Sequence, residues 1–442
     1  MSELLEPLFG DPEVAAHFTP EAQLQALLAV EVALAQALAA VGLMPAAAVD
    51  PIERAAEGAP FDFAALAQET ARAGNLAIPL VAELTRRVAA IDPEAARFVH
   101  WGATSQDILD TGLVLRLRGA LATIGRRLQR AEQGAVRLAR RYADAVLPGR
   151  TWLQQATPVT FGLKAAGWAD SLSRVRARLQ SASAAATTLQ FGGAVGTLAA
   201  LGDGGLAVSD ALGSRLRLTV PALPWHSHRD RIADLGCALG VVTGALGKIG
   251  RDLALLSQHE VAEVAEAAPG GSSTMPHKRN PIAAAVAISA AHRAPGLVAT
   301  LLSAMGQEHE RGIGGWQAEW ETVPDLVGIA GGAARAIAET LDTVVVDTDR
   351  MRANLEASNG LIYAEAVATA LARSIGRPRA QELVTAACRR TEGGQHLKEV
   401  VRADPEITAH LSERALEALF QPESYLGSTK ALIDRALRRL GD

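Results

Sequence analysis

The chain is predicted to be all-α. Ala and Leu interspersed with Arg and Glu favour helix along nearly the whole length. Aromatic residues make up only 4% of the 442 residues. No stretch alternates apolar and polar residues as a half-buried strand does. The one β-branched stretch, "TVVVD" (Thr343 to Asp347), is short and isolated.

More than one hydrophobic core is expected at this length. Residues 1–107 read as an N-terminal helical domain of short helices broken by "MPAAAVDP" and "AIDPEAA". Within it "AALAQALAAVG" is an amphipathic helix that ends at Gly42. Residues 108–360 read as a central domain of long helices: Ile108 to Tyr142, Val159 to Leu189, Asp230 to Glu266, Ile282 to Met305, and Pro324 to Leu341. Residues 361–442 return to shorter helices, with loops at "SIGRPR" and "PESYLGSTK".

The third long run is about 36 residues, or roughly 50 Å of helix. Its middle, "LGCALGVVTGALGKIG", has no polar face, so it must be covered on all sides. One chain cannot readily cover five such rods. A homo-oligomer with a shared helical core is therefore expected.

The net charge of −5 weighs against a nucleic-acid partner. Cys237 and Cys388 lie in apolar helical contexts and read as reduced core residues. A cytoplasmic location is therefore expected, and the first residues lack the basic start of a signal peptide. The longest uncharged apolar run, Leu235 to Gly247, is short for a bilayer, and no membrane span is expected.

Three helix starts share one chemistry. In "HWGATSQDILDTGL" Thr104 is an N-cap candidate and Asp107 follows three residues later, a short-armed capping box. In "GRTWLQQATPVTFGLK" the cap is read at Thr157, with Pro158 in the first turn. In "GGSSTMPHKRNPIAAA" it is read at Asn280, with Pro281 following. Helix N-termini attract anions. Each start is preceded by polar or cationic residues beyond what capping needs: His100 and Ser105; Arg150, Thr151, Gln154 and Gln155; Ser272, Ser273, His277, Lys278 and Arg279. Were the starts to converge, they would bind a small molecule carrying several carboxylates. "GQEHERGIGGWQAEWE" reads either as a solvated helix end or as a pocket border through Glu308, His309 and Arg311. The glycine loop lacks the Walker A pattern. "HEVAE" lacks the second histidine of a zinc helix, and "HSH" at 226–228 lacks ligand companions, so no metal is expected.

"GSSTMPHKRNP" resembles the signature loop of the fumarase/aspartase superfamily, written G-S-S-x-M-P-x-K-x-N. The likeness extends over essentially the whole chain. It implies a three-domain, all-helical homotetramer. A central five-helix bundle from each subunit would build a twenty-helix core, and each active site would draw on three subunits. "HWGATSQDILDT", "RTWLQQATPVTFG", "PWHSHRDRIA" and "QEHERGIGGWQAEWET" are similar to the superfamily's lactone-forming branch, the cycloisomerases of aromatic catabolism. The rival is an amine-eliminating lyase such as adenylosuccinate lyase, or a cycloisomerase for a sulfonated muconate analogue. Adenylosuccinate lyases carry histidines where this chain has Trp152 and Gln155. They also carry a serine-rich phosphate-binding segment where this chain has Gly314, Gly315, Trp316 and Trp320.

The resemblance implies a role for each site residue. Ser272 would handle a proton on carbon, with Ser273 as the fallback. Lys278 and Asn280 would stabilise a developing dianion. His100, Thr104, Ser105, Thr151, Trp152, Gln154, Gln155, Met275, His277, His309 and Arg311 would contact or border the substrate, and no cofactor is implied. Loss of the histidine at position 152 fits the lactone-forming branch. A carboxylate has a pKa of about 4 and leaves without being protonated, whereas an amine does not.

Overall fold

The computed structural model describes residues 4–58, 60–391 and 394–441. The fold is mostly helical, as expected, with four short strands among the described residues. The elements that carry the argument are α1 (Pro20–Val41), α2 (Phe63–Ala73), α3 (Ser105–Arg141), the strands β1 (Val146–Thr151) and β2 (Gln154–Thr160), α4 (Phe161–Ala186), α5 (Asp230–Leu256), β3 (Val264–Ala265), α6 (Ile282–Ser303), α7 (Gly315–Thr343), β4 (Val345–Val346), α8 (Ala364–Ile375) and α9 (Arg377–Arg390).

The chain forms two compact units. The first comprises Met1–Arg127, Val175–Leu246 and Ser289–Arg335; the second comprises Leu128–Arg174, Gly247–Ile288 and Ala336–Asp442.

In the first unit α1 shows how the sequence sets an element. Thr19 caps it by accepting the Ala22 N–H at 3.1 Å, Pro20 opens it, and Gly42 ends it at φ +82°. Leu24, Leu27, Leu28, Leu34 and Leu38 are buried along it, each stabilising the fold by roughly 1.5–3 kcal/mol. The one charge among them, Glu31, is 2% exposed. The core of the second unit is built from α8 and α9, with Val367, Leu371, Leu383 and Val384 packed around Tyr363, Val401 and Leu416.

Three elements differ from expectation. Residues 146–160, read as the approach to a helix, form the antiparallel hairpin β1–β2. Thr157 and Pro158 therefore lie in a strand, and the cap of α4 is Thr160, which accepts the Leu163 N–H at 3.2 Å. Second, α5 stops at Leu256 rather than Glu266. The carboxylates of Glu263 and Glu266 gain charge-assisted bonds outside a helix, and these outweigh the helix propensity of the Glu and Ala residues there. Third, α7 begins at Gly315, with Pro324 inside it. Proline disrupts one turn of a helix but need not start one. Part of "TVVVD" pairs after all, as β4 against β3.

By length and composition α1, α5 and α6 could each cross a bilayer, which a search for uncharged runs does not register. The apolar windows of α1 and α5 are 56% and 61% buried in the fold, whereas that of α6 is only 28% buried.

Candidate active site

The first cluster lies at the start of α3. Asp107 Oδ2 accepts the Thr104 N–H at 3.0 Å, so the acidic half of the expected capping box forms. The Thr104 hydroxyl is turned elsewhere and accepts from Arg311 Nη1 at 2.8 Å. Arg311 also reaches Gln106 Oε1 at 3.3 Å. Thr104, Ser105 and Arg311, some two hundred residues apart in sequence, thus meet at one helix end. His309 lies two residues from Arg311, exposed, at φ 49°.

His100 stands beside this cluster at φ 60°, with Nδ1 2.7 Å from Glu31 Oε1. Burial opposes its protonation, but the hydrogen bond and charge of Glu31, with Asp107 beyond, raise its pKa. Glu31 thereby holds the ring through Nδ1, and among the described residues no hydrogen bond to Nε2 is found. Gly102 follows at φ +81°, where a side chain would meet Leu201 at 2.5 Å.

A buried polar layer holds this cluster from below. Asp107 Oδ1 accepts the Gly192 N–H at 3.0 Å and faces His226 Nε2 at 2.7 Å. Its Oδ2 accepts the Gly193 N–H at 2.9 Å. His226 of the "HSH" stretch is thus committed to a carboxylate. One turn along α3, Asp110 shares Arg229 with Glu319: Arg229 Nη1 donates to Asp110 Oδ2 at 2.8 Å, and Nε donates to Glu319 Oε1 at 2.9 Å. Trp316 Nε1 donates to Asp110 Oδ1 at 3.0 Å. Arg229 is 1% exposed. Burial alone would disfavour its charge, but the two carboxylates hold it more firmly protonated than a free arginine. With one cation for two anions, burial and the charge of Asp110 push Glu319 upward. Gln106 ties the layer to the surface by donating from Nε2 to Asp110 Oδ2 at 3.2 Å.

The second cluster is the hairpin tip. Thr151 pairs with Gln154, and Trp152 and Leu153 make the turn at φ 52° and 62°. These left-handed values match the turn that favours Asn-Gly, so a tryptophan and a leucine are held there under strain. Trp152 is 98% exposed and Leu153 74%. Gln154 is exposed, and Gln155 donates to the Asn354 carbonyl at 3.4 Å. Arg150, read as a substrate cation, is instead forked onto buried Glu263 at 2.7 and 2.8 Å. Asn354 Nδ2 completes that carboxylate at 2.8 Å.

The third cluster is the loop before α6. Gly270 and Asn280 form its neck through a reciprocal pair of backbone hydrogen bonds at 2.8 Å. Asn280 does not cap the helix; its Nδ2 donates to the Gly271 carbonyl at 2.8 Å. The capping group is Glu266, which accepts from Ala283 N and Ala284 N at 3.1 and 3.0 Å. The amino end of α6 is therefore already neutralised by a carboxylate. Ser272 Oγ accepts the N–H groups of Met275 at 3.1 Å and Thr274 at 3.4 Å. Ser273, Met275, His277, Lys278 and Arg279 are exposed. Met275, His277 and Lys278 also border a cavity of about 620 Å³ that reaches Glu266 and His259. Among the described residues no hydrogen bond joins the hairpin tip to this loop.

Sequence reasoning missed Glu31, Asp110, Arg229, Glu263, Glu266 and Glu319. A signal existed for two of them. Glu31 is the lone charge in the apolar stretch "LLAVEVALAQALAAV", and Asp110 stands one helical turn from Asp107 on the same face.

A family model described as Lyase matches residues 10–296, and one described as Adenylosuccinate lyase C-terminus matches residues 360–436. The chain belongs to the lyase family. It is 51% identical to the 3-carboxy-cis,cis-muconate cycloisomerase of Bradyrhizobium diazoefficiens, over 100% of this chain and 98% of that protein. It is 50% identical to the Pseudomonas aeruginosa protein of the same name, over 99% of this chain and 96% of that one. The crystal structure of 3-carboxy-cis,cis-muconate lactonizing enzyme from Pseudomonas putida superposes with a TM-score of 0.94 at 46% identity, covering 100% of both chains.

Proposed function

We propose that this enzyme is a cycloisomerase that closes 3-carboxy-cis,cis-muconate to 4-carboxymuconolactone in aromatic catabolism. One substrate carboxylate adds to a double bond conjugated with another carboxylate, and a proton is delivered to carbon. The observation that carries this reading is the hairpin tip. Its residues 151–155 hold no titratable side chain, and the adjacent Arg150 is bound to Glu263. A lyase expelling an amine needs an acid there; a reaction whose leaving group, read backwards, is a carboxylate does not. The full-length likeness to named cycloisomerases supports the same choice.

In this mechanism Ser272 moves the proton to carbon. Two N–H groups already point at its oxygen, which favours the alkoxide an acid/base serine must pass through. Lys278 and the loop N–H groups stabilise the enediolate-like dianion, in a closed site by a few kcal/mol each. The amino end of α6 contributes nothing to the substrate, since Glu266 occupies it. Asn280 shapes the loop through Gly271. Thr104, Ser105, Arg311 and the free nitrogen of His100 bind substrate carboxylates. Trp152, Gln154 and Gln155 wall the site, and Thr151 orients their turn.

We further infer a cytoplasmic homotetramer whose sites each combine the three clusters from different subunits. The poorly covered apolar surface of α6 and the fully exposed Trp152 both call for a partner surface. The unpaired Cys237 and Cys388 fit a reducing compartment. The decisive assay follows loss of the conjugated diene absorbance of 3-carboxy-cis,cis-muconate. Turnover of adenylosuccinate without turnover of the muconate would sink the proposal.

A further inference from the structure

A second cavity, of about 490 Å³, opens in the first unit between α1, α2, α3 and α7. This is ample for a small organic molecule. Its walls are largely apolar, with Leu24, Phe63, Leu66 and Leu113 among them. Polar atoms converge on it in an unusual way. Six buried side-chain polar atoms lack a hydrogen-bond partner among the described residues, and three of them belong to residues lining this cavity: Thr70 Oγ1, Arg116 Nε and Trp320 Nε1. Buried polar groups are nearly always partnered, and three such groups lining one cavity are placed to hold a polar group there.

The chemistry of the missing group follows from what is unpaired. All three groups can donate, and one carries a positive charge. The guanidinium carbon of Arg116 lies 5.6 Å from the centroid of the Phe18 ring. Burial lowers its pKa to about 10, a penalty that no neighbouring carboxylate offsets. The acidic residues in the wall are already engaged. Both oxygens of Asp110 accept from Arg229, and one also accepts from Trp316. Both oxygens of Glu319 accept from Arg229. The carboxylates in the wall are thus turned to Arg229, and the charge of Arg116 calls for an anionic acceptor.

We propose that this cavity binds a small carboxylate with an apolar, ring-sized body. The carboxylate sits among Arg116, Trp320 and Thr70, and the body lies against Leu66 and Leu113. The cavity shares Asp110 and Glu319 with the polar layer beneath the first cluster but none of the residues assigned to turnover, and the proposal does not depend on the lactone-forming reading, because its test measures binding alone.

Benzoate is a suitable probe. It should perturb the intrinsic fluorescence through Trp320 and bind saturably in calorimetry. Benzyl alcohol, which keeps the ring and lacks the charge, should bind at least about tenfold more weakly, as expected for loss of a charge-assisted contact. Arg116→Met should weaken benzoate by a similar factor, and Leu66→Trp should abolish its binding by filling the cavity. Thr104→Val should leave it unchanged. Absence of saturable binding to the unaltered protein at millimolar benzoate overturns the assignment, even if every variant fails to fold. So does unchanged affinity in Arg116→Met. A change in oligomeric mass in Arg116→Met or Leu66→Trp would assign the cavity to a subunit interface and equally overturn it.

Discussion

Glu266 sits on the amino end of α6, its carboxylate 3.0 Å from the Ala284 nitrogen and 3.1 Å from that of Ala283. A side chain sixteen residues before the helix thus does what Asn280 was expected to do. Glu266→Ala should destabilise the protein by about 1–2 kcal/mol, the usual worth of a cap reinforced by the helix dipole. Glu266→Gln should retain part of that. Urea denaturation of the three proteins checks the order.

Ser272→Ala should lower the rate of diene loss by at least about 100-fold, as removal of a positioned acid or base does. Circular dichroism and oligomeric mass should stay unchanged, since among the described residues Ser272 Oγ bonds within its own loop. A near-normal rate in a correctly assembled variant removes Ser272 from the chemistry and turns attention to Ser273.

The His100–Glu31 pair predicts a pH dependence of stability. The folded pKa of His100 lies above its unfolded value of about 6.5. Its contribution is therefore complete below that value and is lost as pH rises through the folded pKa. Denaturation measured from about pH 5.5 to 8.5 should show this decline. Glu31→Gln should abolish or reverse it, because without the Glu31 carboxylate burial dominates and lowers the pKa.

Arg229→Met should be severely destabilising, by about 3–5 kcal/mol, because it leaves Asp110 and Glu319 buried without their cation. Replacing all three with apolar residues of similar volume should recover most of that loss. If the single and triple variants melt alike, the layer's contribution is steric rather than electrostatic.

Much of this molecule was legible in its sequence because helices announce themselves locally. The start of α6 at Ile282 was read correctly, and the start of α3 to within three residues, since composition marks both, although the cap of α6 is Glu266 and not Asn280. The β1–β2 hairpin was not legible. Its turn residues, Trp152 and Leu153, are among the least suited to a left-handed turn, so the usual Asn-Gly cue is missing. The buried layer was illegible for a different reason. Arg229 meets Asp110 and Glu319 only through contacts about a hundred positions apart, and nothing local marks a charge as buried. Arg150 shows the converse error: a cation beside candidate site residues proved to be a structural partner of Glu263.

The Trp152–Leu153 turn limits how this protein can be improved. Non-glycine residues held at positive φ cost of order 1–3 kcal/mol each. Placing Asn-Gly there should therefore raise the melting temperature of the chain. A campaign that selects only for heat resistance would find that change early and keep it. It would also remove the indole that stands 98% exposed at the tip. Natural chains settle above a stability threshold rather than at an optimum, and the shortfall gathers where activity needs an unfavourable shape. On the role proposed for Trp152, a two-residue turn is such a place in this protein, and thermostability screens should hold it fixed.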